Sequence, residues 1–191
     1  MKTILKAITC SVFLSGCAST TEKINYDDCV FPDAQTKSAP TWVCDQPTNG
    51  LYMQAVGYSA KLASGPGMMK DVAAAEARNQ LAAIFSTDIT SRLTRVTSEK
   101  LADSQSVSTD TINRIQKNVA AMELVNSKIY RTQISPAGNM YVLMGIDSKA
   151  YEQNIDKLLN QSVDAENPEL YRKFLLQEAE AHLDKAAEQL R

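Results

Sequence analysis

Apolar and polar positions alternate from Leu51 to Ala60. Tyr52, Gln54, Val56 and Tyr58 fall on one face, and Leu51, Met53, Ala55 and Gly57 on the other. This period of two predicts a strand. Gly57 inside it predicts a bulge or a close packing contact. Ser64-Gly65-Pro66-Gly67 then breaks the chain. From Met68 to Phe85 the period changes to helical, and Met69, Ala73, Ala77, Leu81, Ile84 and Phe85 form an apolar stripe. The alanines of that stripe suit the close approach of a sheet. Residues 87–98, rich in Thr, Ser and Ile, predict a partly exposed strand with Ile89 and Leu93 on one face. After the polar link at 104–108, a second helix is expected from Thr109 to Met122, with Ile112, Ile115, Val119 and Met122 as its buried line.

Leu124 to Ile134 and Met140 to Ile146 are two strand-like runs. They are joined by the turn Ser135-Pro136-Ala137-Gly138-Asn139 and read as a hairpin. Asp147 and Ser148 can cap a helix covering Tyr151, Ile155, Leu158 and Leu159. Asn167-Pro168-Glu169 starts a last helix running to Arg191. Its Leu176, Ala179, Leu183, Ala186 and Leu190 follow steps of three and four. Such a seam packs on its own domain or on another copy of itself. The order β-α-β-α-β-β predicts one α+β domain at 51–150, in which a mainly antiparallel sheet is covered on one face by two helices. Residues 151–191 are expected as C-terminal helices.

The first thirty residues follow a different logic. Lys2 and Lys6 precede an apolar stretch from Ala7 to Leu14, and Leu14-Ser15-Gly16-Cys17 follows. The stretch is shorter than the roughly 20 residues a membrane span needs, but it suits a signal-peptide core. A Leu and two small residues before a Cys match the lipobox of bacterial lipoproteins. Residues 1–16 are therefore expected to leave as a signal peptide, and the Cys17 thiol to take the lipid that anchors the chain in a membrane. Ala18, where an inner-membrane retention signal would place Asp, points to the cell outer membrane. Residues 17–28 read as a polar tether. Pro32, Pro40, Pro47 and Gly50 make residues 29–50 irregular, with Trp42-Val43 docking on the domain that follows.

Composition narrows the function. Loss of Lys2 and Lys6 with the leader leaves 18 basic against 22 acidic side chains, a net charge near −4. That balance disfavours a nucleic-acid partner. Of the four cysteines, Cys10 leaves with the leader and Cys17 carries lipid. Cys29 and Cys44 remain, an even pair in a compartment that favours disulfides. Their bridge closes a loop of about 15 residues, for which chain entropy predicts about 3 kcal/mol. The pair lacks C-x-x-C spacing and the sole histidine, His182, is far away, so a zinc site is not expected.

No reactive constellation stands out. Gly65-Pro66-Gly67 is half of a nucleotide-binding G-x-G-x-x-G, but the sixth position is Lys70, so it reads as a turn before a helix. Glu76, Arg78 and Asp71 read as a solvated helix surface rather than as a carboxylate pair for acid-base work. His182 reads as a surface or interface residue. Tyr52, Tyr58, Tyr130, Tyr141 and Tyr151 either line a pocket or fill amphipathic strand positions. Neither a catalytic residue nor a cofactor or metal site is expected.

Four segments, in order, carry a resemblance. They are Ala39-Pro40-Thr41-Trp42-Val43-Cys44, Ala55-Val56-Gly57-Tyr58-Ser59, Ala74-Ala75-Glu76-Ala77-Arg78-Asn79-Gln80-Leu81-Ala82 and Tyr141-Val142-Leu143-Met144-Gly145. Over residues 29–150 the chain resembles the LPP-twenty family of bacterial lipoproteins. The resemblance implies an α+β fold, an outer-membrane address and frequent oligomerisation, and it offers no catalytic motif. The expectation is a non-enzymatic outer-membrane lipoprotein with an assembly role in the cell envelope, associating with itself or with an envelope protein. The alternatives are a periplasmic ligand- or peptidoglycan-binding module and a flagellum-associated lipoprotein.

Overall fold

The computed structural model describes residues 29–100, 109–162, 171–173 and 175–176, with backbone alone at 96–100. The leader, Cys17, the tether, His182 and most of the C-terminal seam lie outside the described residues. A two-stranded hairpin, β1 (Val30–Phe31) and β2 (Ala34–Ser38), leads into a 3-10 turn at Thr41–Cys44. β3 (Met53–Ser59), α1 (Pro66–Lys100), α2 (Thr109–Ala121), β4 (Lys128–Ile134), β5 (Met140–Ile146) and α3 (Ser148–Ser162) follow. The fold is α+β, as the pattern predicts. Its main sheet is antiparallel in the order β3-β5-β4.

β5 is the centre of the molecule, and all seven of its residues are buried. Successive side chains of a strand point to opposite faces, so β5 feeds two cores. Met140, Val142, Met144 and Ile146 join the helices. Tyr141 and Leu143 join Cys29, Phe31, Trp42 and Val43. The sheet is therefore covered on both faces: by helices on one side and by the N-terminal hairpin and 3-10 turn on the other. The helices lie on one face, as expected, and the N-terminal unit covers Tyr141 and Leu143 on the other. Segment 29–50 carries two short strands rather than being wholly irregular, and Trp42 and Val43 dock as expected.

The larger correction is α1. Residues 87–98 are helical, so α1 runs unbroken for 35 residues and the expected second strand does not exist. Met69, Ala73, Ala77, Leu81, Phe85, Ile89 and Leu93 are all buried, each four residues after the last. A step of four advances about 40° beyond a full turn. Over these six steps the buried line winds about 240° around the helix. Its first half faces the sheet, and its second half meets the other helices, where the Phe85 and Tyr151 rings lie 5.5 Å apart. Ile84 falls off the winding line and is exposed.

The helix and the sheet meet at Gly57. A Cβ built there would lie 1.9 Å from Ala73 O and 2.5 Å from Ala77 N. Only hydrogen at position 57 and methyl groups at 73 and 77 allow this approach, so the expected close packing is present. Pro66 opens α1 after Gly65, whose φ of +91° turns the chain. Asp147 caps α3, its Oδ1 accepting the Ala150 N–H at 2.8 Å. The β4–β5 turn closes through Gly138 at φ +87°. β4 begins at Lys128 rather than Leu124. Leu124 is buried in the helical core, and fully buried Asn154 holds both the N–H and the C=O of Val125.

Replacing Gly57 with Ala is expected to cost about 1–3 kcal/mol through overpacking, read as a lowered midpoint in urea denaturation. An unchanged midpoint would contradict the contact.

Candidate functional site

Three features survive as candidates: the disulfide, two polar clusters on opposite faces of the sheet, and the uncovered strand β4. Cys29 and Cys44 are bonded, with Cα atoms 5.9 Å apart and 15 residues of separation. The bridge closes the hairpin and 3-10 turn into one unit. Both the Phe31 and Tyr58 rings contact the Tyr141 ring, at centroid distances of 5.8 and 5.3 Å.

The first polar cluster ties that unit to the sheet. Asp33, in the β1–β2 turn, accepts hydrogen bonds at 2.5 Å from Ser135 Oγ and Asn139 Nδ2. Asn139 Oδ1 accepts the Lys61 N–H at 2.9 Å. One turn thus fastens the N-terminal unit and the chain leading to α1. Burial pushes the Asp33 carboxyl up, but hydrogen bonds from Ser135, Asn139 and Tyr141 outweigh it and hold the group below its ordinary value of 3.8. The Tyr141 hydroxyl is pushed up to about 12, first by burial and then by the Asp33 charge.

The second cluster lies on the helical side. Arg92 is 3% exposed. Its Nε bonds Asp88 Oδ2 at 2.9 Å, one NH2 group donates to the Leu175 carbonyl at 3.2 Å, and the other reaches the Tyr52 hydroxyl at 3.5 Å. Asp88 Oδ2 also accepts the Tyr151 hydroxyl at 2.8 Å. The Tyr52 and Tyr151 rings are 4.2 Å apart. Burial raises both tyrosines above their ordinary value, Tyr151 far above it with help from the Asp88 charge. For Arg92, burial acts downward, but the Asp88 hydrogen bond and surrounding charge outweigh it and keep the guanidinium ionised. The ion pair and its hydrogen bonds brace α1 against Tyr52, Tyr151 and the Leu175 backbone. The brace reaches the Leu175 backbone; Tyr171 and Leu175 are buried and Arg172 pairs with Asp156 at 2.7 Å.

Of the tyrosines singled out in the sequence, Tyr52 and Tyr151 meet on the helical face, Tyr58 and Tyr141 meet on the other side, and Tyr130 is exposed on β4. Glu76 serves neither a carboxylate pair nor a simple solvated surface. Its Oε2 accepts the Tyr58 N–H at 2.7 Å, and its Oε1 the Gln80 amide at 3.2 Å. Among the described residues there is no group of three or more His, Cys, Asp or Glu side chains able to hold a metal. An open groove of about 390 Å³ between α2 and α3 is lined by Asn118, Met122, Glu123, Lys157 and Gln161. Lys157 donates to the Glu123 carbonyl and Asn118 to the Gln161 carbonyl, so these polar groups join the helix pair.

β4 differs from its neighbours. Six of its seven residues are exposed, including Ile129, Tyr130 and Ile134. Neither covering layer extends over it. Asp88, Arg92, Asp33 and this open edge are what the sequence reading missed. The four-residue spacing of Asp88 and Arg92 is the signal that could have marked the first pair.

No family model matches the chain, and no curated protein matches it.

Two measurements check these clusters. Arg92→Met leaves the Asp88 carboxylate without its cation, and breaking such a pair costs about 3–5 kcal/mol when fully buried. With Asp88 23% exposed, a loss near the low end is expected in chemical denaturation, and no loss would contradict the brace. For Asp33, the folded value lies below the unfolded one, so its stabilisation is present above the ordinary carboxylate range and is lost as pH falls through the folded value. Asp33→Asn is expected to destabilise the protein at pH ~7, with the gap to wild type closing towards pH ~3. A gap independent of pH would overturn that assignment.

Proposed function

We propose that this chain is a bacterial outer-membrane lipoprotein, anchored by lipid on Cys17, that acts without catalysis as a self-associating assembly component of the cell envelope. The observation that carries the reading is the Cys29–Cys44 bridge behind a leader ending in Leu14-Ser15-Gly16-Cys17. Disulfides persist in oxidising compartments, and the lipobox pattern supplies a route to one. No helix of the described residues is long and apolar enough to cross a membrane, so in this reading the anchor is the lipid. The resemblance of residues 29–150 to LPP-twenty lipoproteins supports the same address and a tendency to oligomerise.

The polar side chains of the two clusters bond to one another and to backbone, tying distant segments together. This economy suits a scaffold.

Expression in a Gram-negative host with an alkyne-labelled fatty acid tests the reading. The wild type is expected to incorporate label and pellet with outer membranes. Cys17→Ser is expected to lose the label and retain residues 1–16 by mass spectrometry. In-cell cross-linking is expected to give species heavier than one chain. An unlabelled wild type in the soluble fraction, or a lipoprotein that cross-links to nothing, would overturn the anchor or the assembly role respectively.

A further inference from the structure

The chain passes from the stapled N-terminal unit to the main sheet through an exposed turn. Thr48-Asn49-Gly50-Leu51 closes with the Leu51 N–H donating to Thr48 O at 3.1 Å. Gly50 holds φ +86° there, the left-handed value that a type II turn needs at its third residue. Asn49 and Gly50 are both exposed. The flanks of the turn are held. Gln54 accepts the Thr48 N–H at 2.8 Å and donates to the Gln46 carbonyl at 2.7 Å. On the other side, Leu51 packs against the core that contains Tyr141 and Leu143.

Asn49 is the one asparagine of the sequence followed by glycine. That neighbour decides its chemistry. The amide carbon of an asparagine lies within reach of the next residue's backbone nitrogen, and closing the two makes a five-membered ring. A side chain on the next residue crowds this attack, and glycine has none. The surroundings leave room as well, since a Cβ built on Gly50 would meet nothing within 4 Å. Other asparagines are held in place. Asn126 Nδ2 donates to Gln153 Oε1 at 2.6 Å, Asn118 Nδ2 to Ser162 Oγ at 3.0 Å, and Asn139 Nδ2 to Asp33. Asn154 is fully buried, with its amide on the Val125 and Ala150 carbonyls. Each of these four precedes a residue that carries a side chain.

We propose that Asn49 is a site of spontaneous modification, at which water replaces the side-chain amide by way of a succinimide. The chemistry is independent of the anchor and of self-association. The Gly50 N–H gives its proton to a solvent base, and the nitrogen attacks Asn49 Cγ. The N–Cγ bond forms, the Cγ–Nδ2 bond breaks, and Nδ2 takes a proton from solvent and leaves as ammonia. Water then opens the ring at either carbonyl. Cleavage of the new N–Cγ bond leaves an aspartate at position 49 in an ordinary main chain. Cleavage between Gly50 N and the Asn49 backbone carbonyl carbon leaves isoaspartate, whose main chain runs through Cβ and Cγ. One water enters and one ammonia leaves, with no oxidant or reductant.

The place of the site gives the reaction its effect. Both products add a negative charge to the exposed turn. Isoaspartate also adds a carbon to the main chain, inside the ring that the Leu51–Thr48 hydrogen bond closes. Gln54 holds the chain at Gln46 and Thr48, and the core holds Leu51. The tip of the turn must therefore absorb the extra length. The joint so altered is the covalent path from the stapled unit to β3.

The test uses the full, disulfide-bonded chain, incubated folded in mildly alkaline buffer, digested in acid and mapped by mass spectrometry. The peptide carrying Asn49 is expected to gain the mass difference between amide and acid, and to separate into aspartate and isoaspartate forms, before the peptides carrying Asn126 or Asn139 change. Incubation in heavy-oxygen water is expected to place a heavy oxygen in each product. Asn49→Gln, which would have to close a six-membered ring, is expected to slow conversion by about tenfold or more with unchanged far-UV circular dichroism. Gly50→Ala is expected to slow it similarly, but its φ is strained for alanine, so Asn49→Gln decides the matter if that variant fails to fold. An Asn49 amide that survives in the folded chain, whether or not the urea-unfolded chain loses it, overturns the proposal. So does aspartate without isoaspartate, which marks direct hydrolysis, or conversion of Asn126 ahead of Asn49.

Discussion

The missing side chain at Gly57 sets the depth at which helix and sheet meet. Ala73 O and Ala77 N occupy the volume a Cβ would need. With that contact fixed, β3 sits under the first half of α1, and β5 is drawn beside it with Val142, Met144 and Ile146 facing the helices. The same constraint continues into the winding of the apolar line along α1. A line that begins on the sheet at Met69 has turned towards the helical bundle by Phe85. One helix thereby joins two packing problems without a break.

Much of this was legible in the sequence because it depends on local chemistry. The β4–β5 turn, the Asp147 cap, the second helix and the Gly57 contact each carry a signature within a few residues. The mistaken strand at 87–98 has a physical cause. Thr87, Thr90, Thr94 and Ile89 have the side chains that strands favour, yet Phe85, Ile89 and Leu93 keep the four-residue step. Tertiary burial on the helical bundle overrides intrinsic preference there. In α1 the Thr87 and Thr94 hydroxyls donate to the carbonyls four residues back, so these residues join the helix rather than break it. The second cover of the sheet was hidden for another reason. Prolines and a staple announce an irregular segment, but the surface that receives it, Tyr141 and Leu143, lies in a distant strand.

The candidate features share one character, which is that they join. Asp33 ties the stapled hairpin to a turn, Asn139 ties that turn to the entry of α1, and Arg92 ties α1 to the backbone at Leu175. These ties converge on a sheet whose central strand, β5, is buried on both sides.

The stapled hairpin also has a kinetic consequence. Cys29 and Cys44 are neighbours along the chain, whereas the strand that receives their unit is made about 100 residues later. Closing the short loop is a fast local event, and docking is a slow, high-contact-order one. The bridge can therefore form before its seat exists. The bridge leaves Phe31, Trp42 and Val43 less chain freedom to lose when they cover Tyr141 and Leu143.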